Sequence, residues 1–189
     1  MAGTKQRILE VARELFAEQG VQKTSMREIA DRLGITKPAL YYHFSSREDL
    51  LRSIVQPLMD GGEDMLAGHE TKSRVDPLEL LTVYFDFHYR HRHDLVFVMN
   101  ELTTLIDLGL VDLVLSWRAR LITLLTGPEP TLEQSARVVV ALGGLQDCVV
   151  QFRDVPEDEL RIAAVTAACA ALGIEKVRPE ENRTGSPVV

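Results

Sequence analysis

The residues best suited to bind another molecule lie close together near the N-terminus, in residues 37–43. This stretch predicts a short helix, about 10 Å long at about 1.5 Å per residue. The residues expected to point outward are Lys37, Ala39, Tyr41, Tyr42 and His43. The major groove of DNA admits a helix and offers base edges to lysine and apolar contact to alanine, and tyrosine hydroxyls bind phosphates. The stretch therefore predicts a DNA-recognition surface.

A second helix and a tight turn are expected to position this short helix. Ser25 and Glu28 have the spacing of a capping box, which predicts a helix over residues 26–33. Gly34 suits the left-handed residue that ends such a helix. Thr36 can then cap the next helix by accepting a backbone N–H. A helix, a glycine turn and a second helix form the helix-turn-helix pattern of DNA-binding proteins.

Several polar residues around these helices are candidate contacts to the DNA backbone. A helix N-terminus carries free N–H groups and partial positive charge, which favour an anion. The candidate phosphate contacts are Thr24, Ser25, Arg27, Thr36 and Arg47. Thr24 and Ser25 are also explained as ordinary caps, and both roles are compatible.

Three phrases within residues 5–50 combine apolar, glycine and aromatic positions. They are Ile8-Leu9-x-Val11-Ala12-x-x-Leu15-Phe16-x-x-x-Gly20, Thr24-x-x-Arg27-x-Ile29-Ala30-x-x-Leu33-Gly34 and Leu40-Tyr41-Tyr42-His43-Phe44-x-x-Arg47-x-x-Leu50. Together they resemble the tetracycline-repressor (TetR) family of bacterial one-component transcription regulators. The family usually has lysine where Arg47 stands. Arginine keeps the charge and adds donors, so the expected phosphate contact is retained.

The resemblance implies a transcriptional regulator that binds a palindromic DNA operator as a dimer and is released by a small-molecule effector. We predict repression, because a protein seated on a promoter blocks polymerase without any further contact. The resemblance also implies a homodimer through the last two helices. Those helices are rich in alanine and glycine, which let helix axes approach closely, although close packing within one chain is an alternative explanation.

The composition predicts an all-α protein of about nine helices. The chain has 189 residues, of which 46% are hydrophobic, and β-branched alternation is nearly absent. We expect a three-helix DNA-binding head over residues 1–60, a larger helical effector-binding and dimerisation body over residues 61–175, and a flexible tail over residues 176–189. Gly61 and Gly62 are expected to end the fourth helix and to begin a mobile connector.

Charge is distributed unevenly along the chain. The formal net charge is −7, yet residues 1–47 hold eight Lys and Arg against five Asp and Glu. We expect the acidic remainder to be repelled by DNA and the basic head to face it. No apolar run is long enough to cross a membrane, and two cysteines fit a reducing compartment. These features predict a cytoplasmic protein that associates with the nucleoid when it is bound to DNA.

The resemblance implies that the body holds the small-molecule effector. Aromatic and polar residues mix on its central helices, and these could line a pocket, although most are equally explained as core. The candidates are Phe85, His88, Tyr89, Met99, Trp117 and Gln146. Because the central helices carry few charges, we expect a largely apolar effector.

A metal site, an enzyme and a protein-binding adaptor are the alternatives to DNA binding. His88, His91 and His93 with Asp94 have spacings that could bind a metal, but Arg90 and Arg92 lie between them and would repel a cation. A solvated basic helix end explains the cluster without a metal, so we predict no metal and no cofactor. Motifs for a nucleophile elbow, a phosphate loop or a zinc protease are absent, which argues against an enzyme. A helical adaptor that binds protein instead of DNA remains an alternative, as does a small-molecule-binding enzyme built only on scattered His and Asp residues.

Overall fold

The computed structural model describes residues 3–92, 94–95, 106 and 109–174. Within these residues every regular element is a helix, which confirms the all-α prediction. The eight helices are α1 (Thr4–Gln19), α2 (Met26–Leu33), α3 (Lys37–His43), α4 (Arg47–Glu70), α5 (Pro77–Arg90), α6 (Leu110–Thr126), α7 (Leu132–Gln151) and α8 (Glu157–Ala171). Met99, His93 and the tail at 176–189 lie outside the described residues.

Local capping rules explain where the head helices begin and end. The Ser25 hydroxyl accepts from the Glu28 backbone N–H, and the Glu28 carboxylate accepts from the Ser25 N–H, which completes the expected capping box. Gly34 ends α2 with a φ of 67°, a left-handed conformation that glycine adopts without strain. The Thr36 hydroxyl accepts from Ala39 N–H at 3.3 Å. Because these signals are local, the sequence located both helices correctly.

The head and the body each have a hydrophobic core. The head core joins the inner faces of α1, α2 and α3 to the first half of α4 and the start of α6, with Leu40, Phe44 and Ile54 among its fully buried side chains. The body core joins the second half of α4 to α5, α6, α7 and α8. Since α4 contributes to both cores, it connects the head to the body.

The fourth helix differs from the prediction. It runs without a break from Arg47 to Glu70, through Gly61 and Gly62, so the expected stop and the connector over residues 61–70 were wrong. Gly62 is explained by a tertiary contact between α4 and α6 and not by a helix end. A Cβ on Gly62 would lie 2.4 Å from a ring carbon of Trp117, so Gly62 provides the space that lets this indole pack against the helix.

Polar contacts reinforce the packing of α6 on α4. The indole N–H of Trp117 donates to Glu63 Oε2 at 3.1 Å. The Arg120 guanidinium donates to both Glu63 and Glu70, with distances of 2.7 Å to 2.9 Å. A bidentate guanidinium–carboxylate pair fixes orientation as well as distance, so these contacts hold the second half of α4 in register with α6.

None of the helices in the described residues combines the length and the apolar composition needed to cross a bilayer.

Candidate nucleic-acid interface and ligand cavity

One face of α3 is exposed, and it carries the predicted recognition residues. Tyr42 is 86% exposed and Tyr41 is 40% exposed, while Lys37 and Ala39 are also on the surface. The opposite face is anchored by Leu40, which is fully buried. Burial of an apolar side chain such as Leu40 stabilises the fold, whereas the exposed Tyr42 ring contributes little to it. The exposed face of α3 is therefore available to contact a partner.

Ring contacts organise the side chains of this face. The Lys37 Nζ atom lies 5.6 Å from the centroid of the Tyr41 ring, within cation–π range. The His43 ring is half-buried and meets the Tyr42 ring edge-on, with centroids 5.3 Å apart. The ring contacts thus pair Lys37 with Tyr41 and Tyr42 with His43 along the roughly two turns of α3.

The N-terminus of α2 carries two of the predicted phosphate contacts on the surface. Ser25 and Arg27 are exposed, and the Arg27 Nε atom lies 3.7 Å from Asp31 Oδ2. The Glu28 carboxylate already accepts from the Ser25 backbone N–H at 2.7 Å, and this hydrogen bond lowers the pKa of Glu28. A phosphate at this helix end would therefore have to approach beside a carboxylate.

Thr24 is placed differently from the prediction. Its side chain is only 2% exposed, and its hydroxyl donates to the Gly20 carbonyl oxygen at 2.9 Å and accepts from Gln19 Nε2 at 3.2 Å. The hydroxyl is thus used inside the turn between α1 and α2. Thr24 is not available as a phosphate contact, whereas Thr36 is exposed beside α3.

Arg47 lies at the start of α4, directly after α3, and is half-buried. Its Nε and Nη2 atoms are buried without a hydrogen-bond partner among the described residues. Buried polar atoms without a partner are unfavourable, and an anion that accepts from them would relieve the cost. The geometry therefore keeps Arg47 in the set of candidate phosphate contacts.

The body contains a cavity of about 310 Å³, at the lower end of the range for small-molecule sites. Its wall is mostly apolar and comes from α4, α5, α6 and α7. Of the predicted pocket residues, His88, Trp117 and Gln146 line it. Phe85 and Tyr89 are not in the wall, because Phe85 is fully buried in the core and Tyr89 stacks on it with ring centroids 5.7 Å apart.

The cavity lies where the two hydrophobic cores meet, which the sequence did not reveal. Val55, Met59 and Leu110 in its wall belong to or pack against the head core, whereas Leu58 and Met65 belong to the body core. Tyr84 and Arg118 also line it. Helical spacing marks these residues as core positions, and no signal in the sequence distinguishes a filled core from a hollow one.

His88 is neutral in the cavity wall. Its Nδ1 atom lies 2.8 Å from the Tyr84 carbonyl oxygen, which can only accept, so Nδ1 carries the proton. Burial lowers the pKa of His88 to about 4. Neighbouring His91 contacts Asp94, with Nδ1 3.8 Å from Oδ2. Among the residues that the structure describes, no group of three or more potential metal ligands could hold an ion.

The buried histidine predicts a specific pH dependence of stability. Its pKa is about 4 in the folded chain and about 6.5 in the unfolded chain, so the unfolded state binds the proton first as pH falls. We expect the free energy of unfolding to decrease between about pH 6.5 and about pH 4, by up to about 3 kcal/mol from this residue. Urea titrations of wild type and His88→Gln at a series of pH values would measure it. Identical pH slopes for the two proteins would contradict this account of His88.

Comparisons with known proteins agree with the helix-turn-helix geometry. Residues 8–54 match the family model described as bacterial regulatory proteins, tetR family. The HTH-type transcriptional regulator AcrR of Shigella flexneri is 38% identical over 78 residues, or 41% of this chain and 36% of that protein. The HTH-type transcriptional repressor KstR2 of Mycolicibacterium smegmatis is 32% identical over 120 residues, covering 60% and 57%. The matches thus span about a third to three fifths of these relatives.

The fold extends the similarity to the body. A crystal structure of a transcriptional regulator of the TerR/AcrR family from Aquifex aeolicus VF5 superposes with a TM-score of 0.70 at 25% identity, and the alignment covers 87% of this chain and 97% of that one. These relatives are named as transcriptional regulators, which is the class that the sequence predicts.

Proposed function

The chain belongs to the TetR family of bacterial regulatory proteins, and we propose that it is a dimeric transcriptional repressor released from a palindromic operator by a small molecule. The observation that carries this proposal is the exposed face of α3 with Lys37, Tyr41 and Tyr42. In the proposed complex, Lys37 and Ala39 contact base edges. Tyr42, Thr36 and Arg47 contact phosphates.

We propose a homodimer through α7 and α8, because both helices present apolar surface to solvent. Val140 on α7 is 64% exposed and Ile162 on α8 is 68% exposed. Between residues 162 and 171 the exposed positions of α8 are alanine and isoleucine, and none is charged. An apolar face of this kind marks an interaction site, and a two-fold dimer would present two α3 helices to adjacent half-sites.

The dimer proposal predicts the effect of a charge on this face. Ile162→Glu places a carboxylate in the proposed interface, so we expect the mass from sedimentation at micromolar concentration to fall from two chains to one. The matched control is Leu78→Glu, because Leu78 is also an exposed apolar residue but lies on α5. The control should stay dimeric. A wild-type mass of one chain, or a dimeric Ile162→Glu variant, would contradict the interface.

In this proposal, binding of the effector in the cavity is coupled to DNA affinity through α4. A molecule in the cavity would contact α4 at Leu58 and Met65 and also reach Val55 on the head side. Because α4 is continuous between the cores, a shift at its second half is transmitted to the head. An effector that binds more tightly to the spread state of the dimer lowers DNA affinity by that difference in affinity.

Selection of duplexes from a random DNA pool tests the proposed function. We expect a bound sequence with two-fold symmetry and half-sites about one helical turn apart. Screening small molecules for release of that duplex then identifies the effector. Recovery of no preferred sequence at low salt would overturn the proposal in favour of a protein-binding adaptor. The proposed location is the cytoplasm, on the nucleoid when DNA is bound.

A further inference from the structure

Tyr84, His88, Arg118 and Gln146 are polar residues in the wall of the cavity. The Tyr84 and His88 rings lie 4.0 Å apart, centroid to centroid. Burial lowers the pKa of His88, and the charge of Arg118 adds to this effect. Burial also raises the pKa of Tyr84, and the same charge opposes that rise. The charge of Arg118 therefore acts on both rings.

The fourth polar group joins them from α7. The Arg118 Nη2 atom lies 3.9 Å from the position that a Cβ on Gly143 would occupy, so the guanidinium extends towards α7. Gln146 follows Gly143 by three positions and lies on the same face of the helix. Gln146 and Arg118 both line the cavity, so the amide and the guanidinium face the same space.

Arg118 is the charged member of this group. It is half-buried and has neither a hydrogen bond nor an ion pair with any described residue. Asp147, whose charge also reaches Tyr84, is exposed on α7. His88 is neutral, Tyr84 and Gln146 are uncharged, and no other charged side chain is among the described residues of the wall. A cation in an apolar wall gains most from an anionic partner, because charges interact strongly where water is excluded.

We propose that the effector is an amphiphilic acid, with an apolar body in the cavity and a carboxylate bound by Arg118 and Gln146. The planar guanidinium can donate two parallel hydrogen bonds to a carboxylate. Gln146 supplies an amide N–H, and the un-ionised Tyr84 hydroxyl can donate a further hydrogen bond. His88 Nε2 is a bare acceptor and therefore suits a donor on the ligand better than the carboxylate.

This inference deepens the proposed function and rests on it, because it assigns a ligand class to the same cavity. It is narrower than the sequence prediction of a largely apolar effector. It adds one negative charge at a defined position.

Binding of chain-matched probes to the full-length protein tests the inference. Trp117 is the single tryptophan of the chain and lines the cavity, so its fluorescence reports occupancy. The probes are decanoic acid, decanol and decylamine at neutral pH, below their micelle concentrations. We expect decanoate to bind at least about tenfold more tightly than decanol, the factor that one charge-assisted hydrogen bond supplies. Decylamine should bind most weakly.

Two variants separate the charge from the cavity. In Arg118→Gln, decanoate and decanol should bind with equal affinity, whereas Arg118→Lys should retain part of the preference for decanoate. The control Arg153→Gln removes the same charge at the exposed end of α7 and should leave the preference unchanged. Equal affinities in wild type, or a preference that survives in Arg118→Gln, would overturn the acid inference while the cavity stands. If no probe binds, both the inference and the effector cavity are overturned.

Discussion

Replacement of Tyr42 or Lys37 by alanine is expected to weaken binding to the selected operator by about 1–3 kcal/mol each. Both side chains lie on the exposed face of α3, and Tyr42 is the most exposed aromatic residue of that helix. Because neither contributes to the core, the free energy of unfolding should stay within about 0.5 kcal/mol of wild type. Fluorescence anisotropy with labelled duplex and urea denaturation measure the two quantities.

A charge-matched control is available for Lys37. Lys72 is another exposed lysine, paired with Glu79 at 2.6 Å and lying between α4 and α5. Lys72→Ala changes the net charge by the same amount but should leave operator affinity unchanged. If Lys72→Ala weakened binding as much as Lys37→Ala, overall charge and not α3 would explain the affinity. Full affinity in Tyr42→Ala would remove that residue from the interface.

The same substitution at two glycines of α4 is expected to change stability in opposite directions. In Gly62→Ala the new methyl group would overlap the Trp117 ring, since an ideal Cβ lies 2.4 Å from it. Overpacking of this kind costs about 1–3 kcal/mol, so the free energy of unfolding should fall. Displacement of the indole from the cavity wall should also weaken probe binding.

Gly68 is the matched control on the same helix. A Cβ there meets no heavy atom within 4 Å, and alanine has a higher helix propensity than glycine. Gly68→Ala should therefore raise the free energy of unfolding by about 0.5–1 kcal/mol. Chemical denaturation of both variants and wild type under identical conditions measures the two changes in the free energy of unfolding. Stabilisation by both substitutions would show that the close contact between Gly62 and Trp117 is not maintained in solution.

The head could be located from the sequence because its signals are local. The capping box of Ser25 and Glu28 and the cap at Thr36 each act within one helical turn. They therefore fix helix ends without knowledge of the rest of the fold. The exposed face of α3 followed from the same periodicity, because Leu40 and Phe44 mark its buried side.

The features that the sequence missed depend on contacts between distant residues. From the sequence alone Gly62 is interpreted as a helix stop, and only the structure shows that Trp117 packs against it. Thr24 is likewise interpreted as a surface cap, and only the structure shows that its hydroxyl donates a hydrogen bond to the Gly20 carbonyl oxygen. Arg118 is one of several arginines on the body helices, and only the arrangement of α5, α6 and α7 brings it to the cavity. Periodicity tells which face is buried but not what it is buried against.

The dependence of duplex binding on salt, measured for wild type and for the Lys37→Ala/Tyr42→Ala double variant, tests the central claim most directly. If two α3 helices bind DNA through lysine and phosphate contacts, wild-type affinity should fall about a thousandfold or more between about 50 mM and about 200 mM salt. The double variant should bind more weakly throughout and with a shallower slope. An affinity that does not change with salt, or that is the same in the double variant, would contradict DNA recognition by α3.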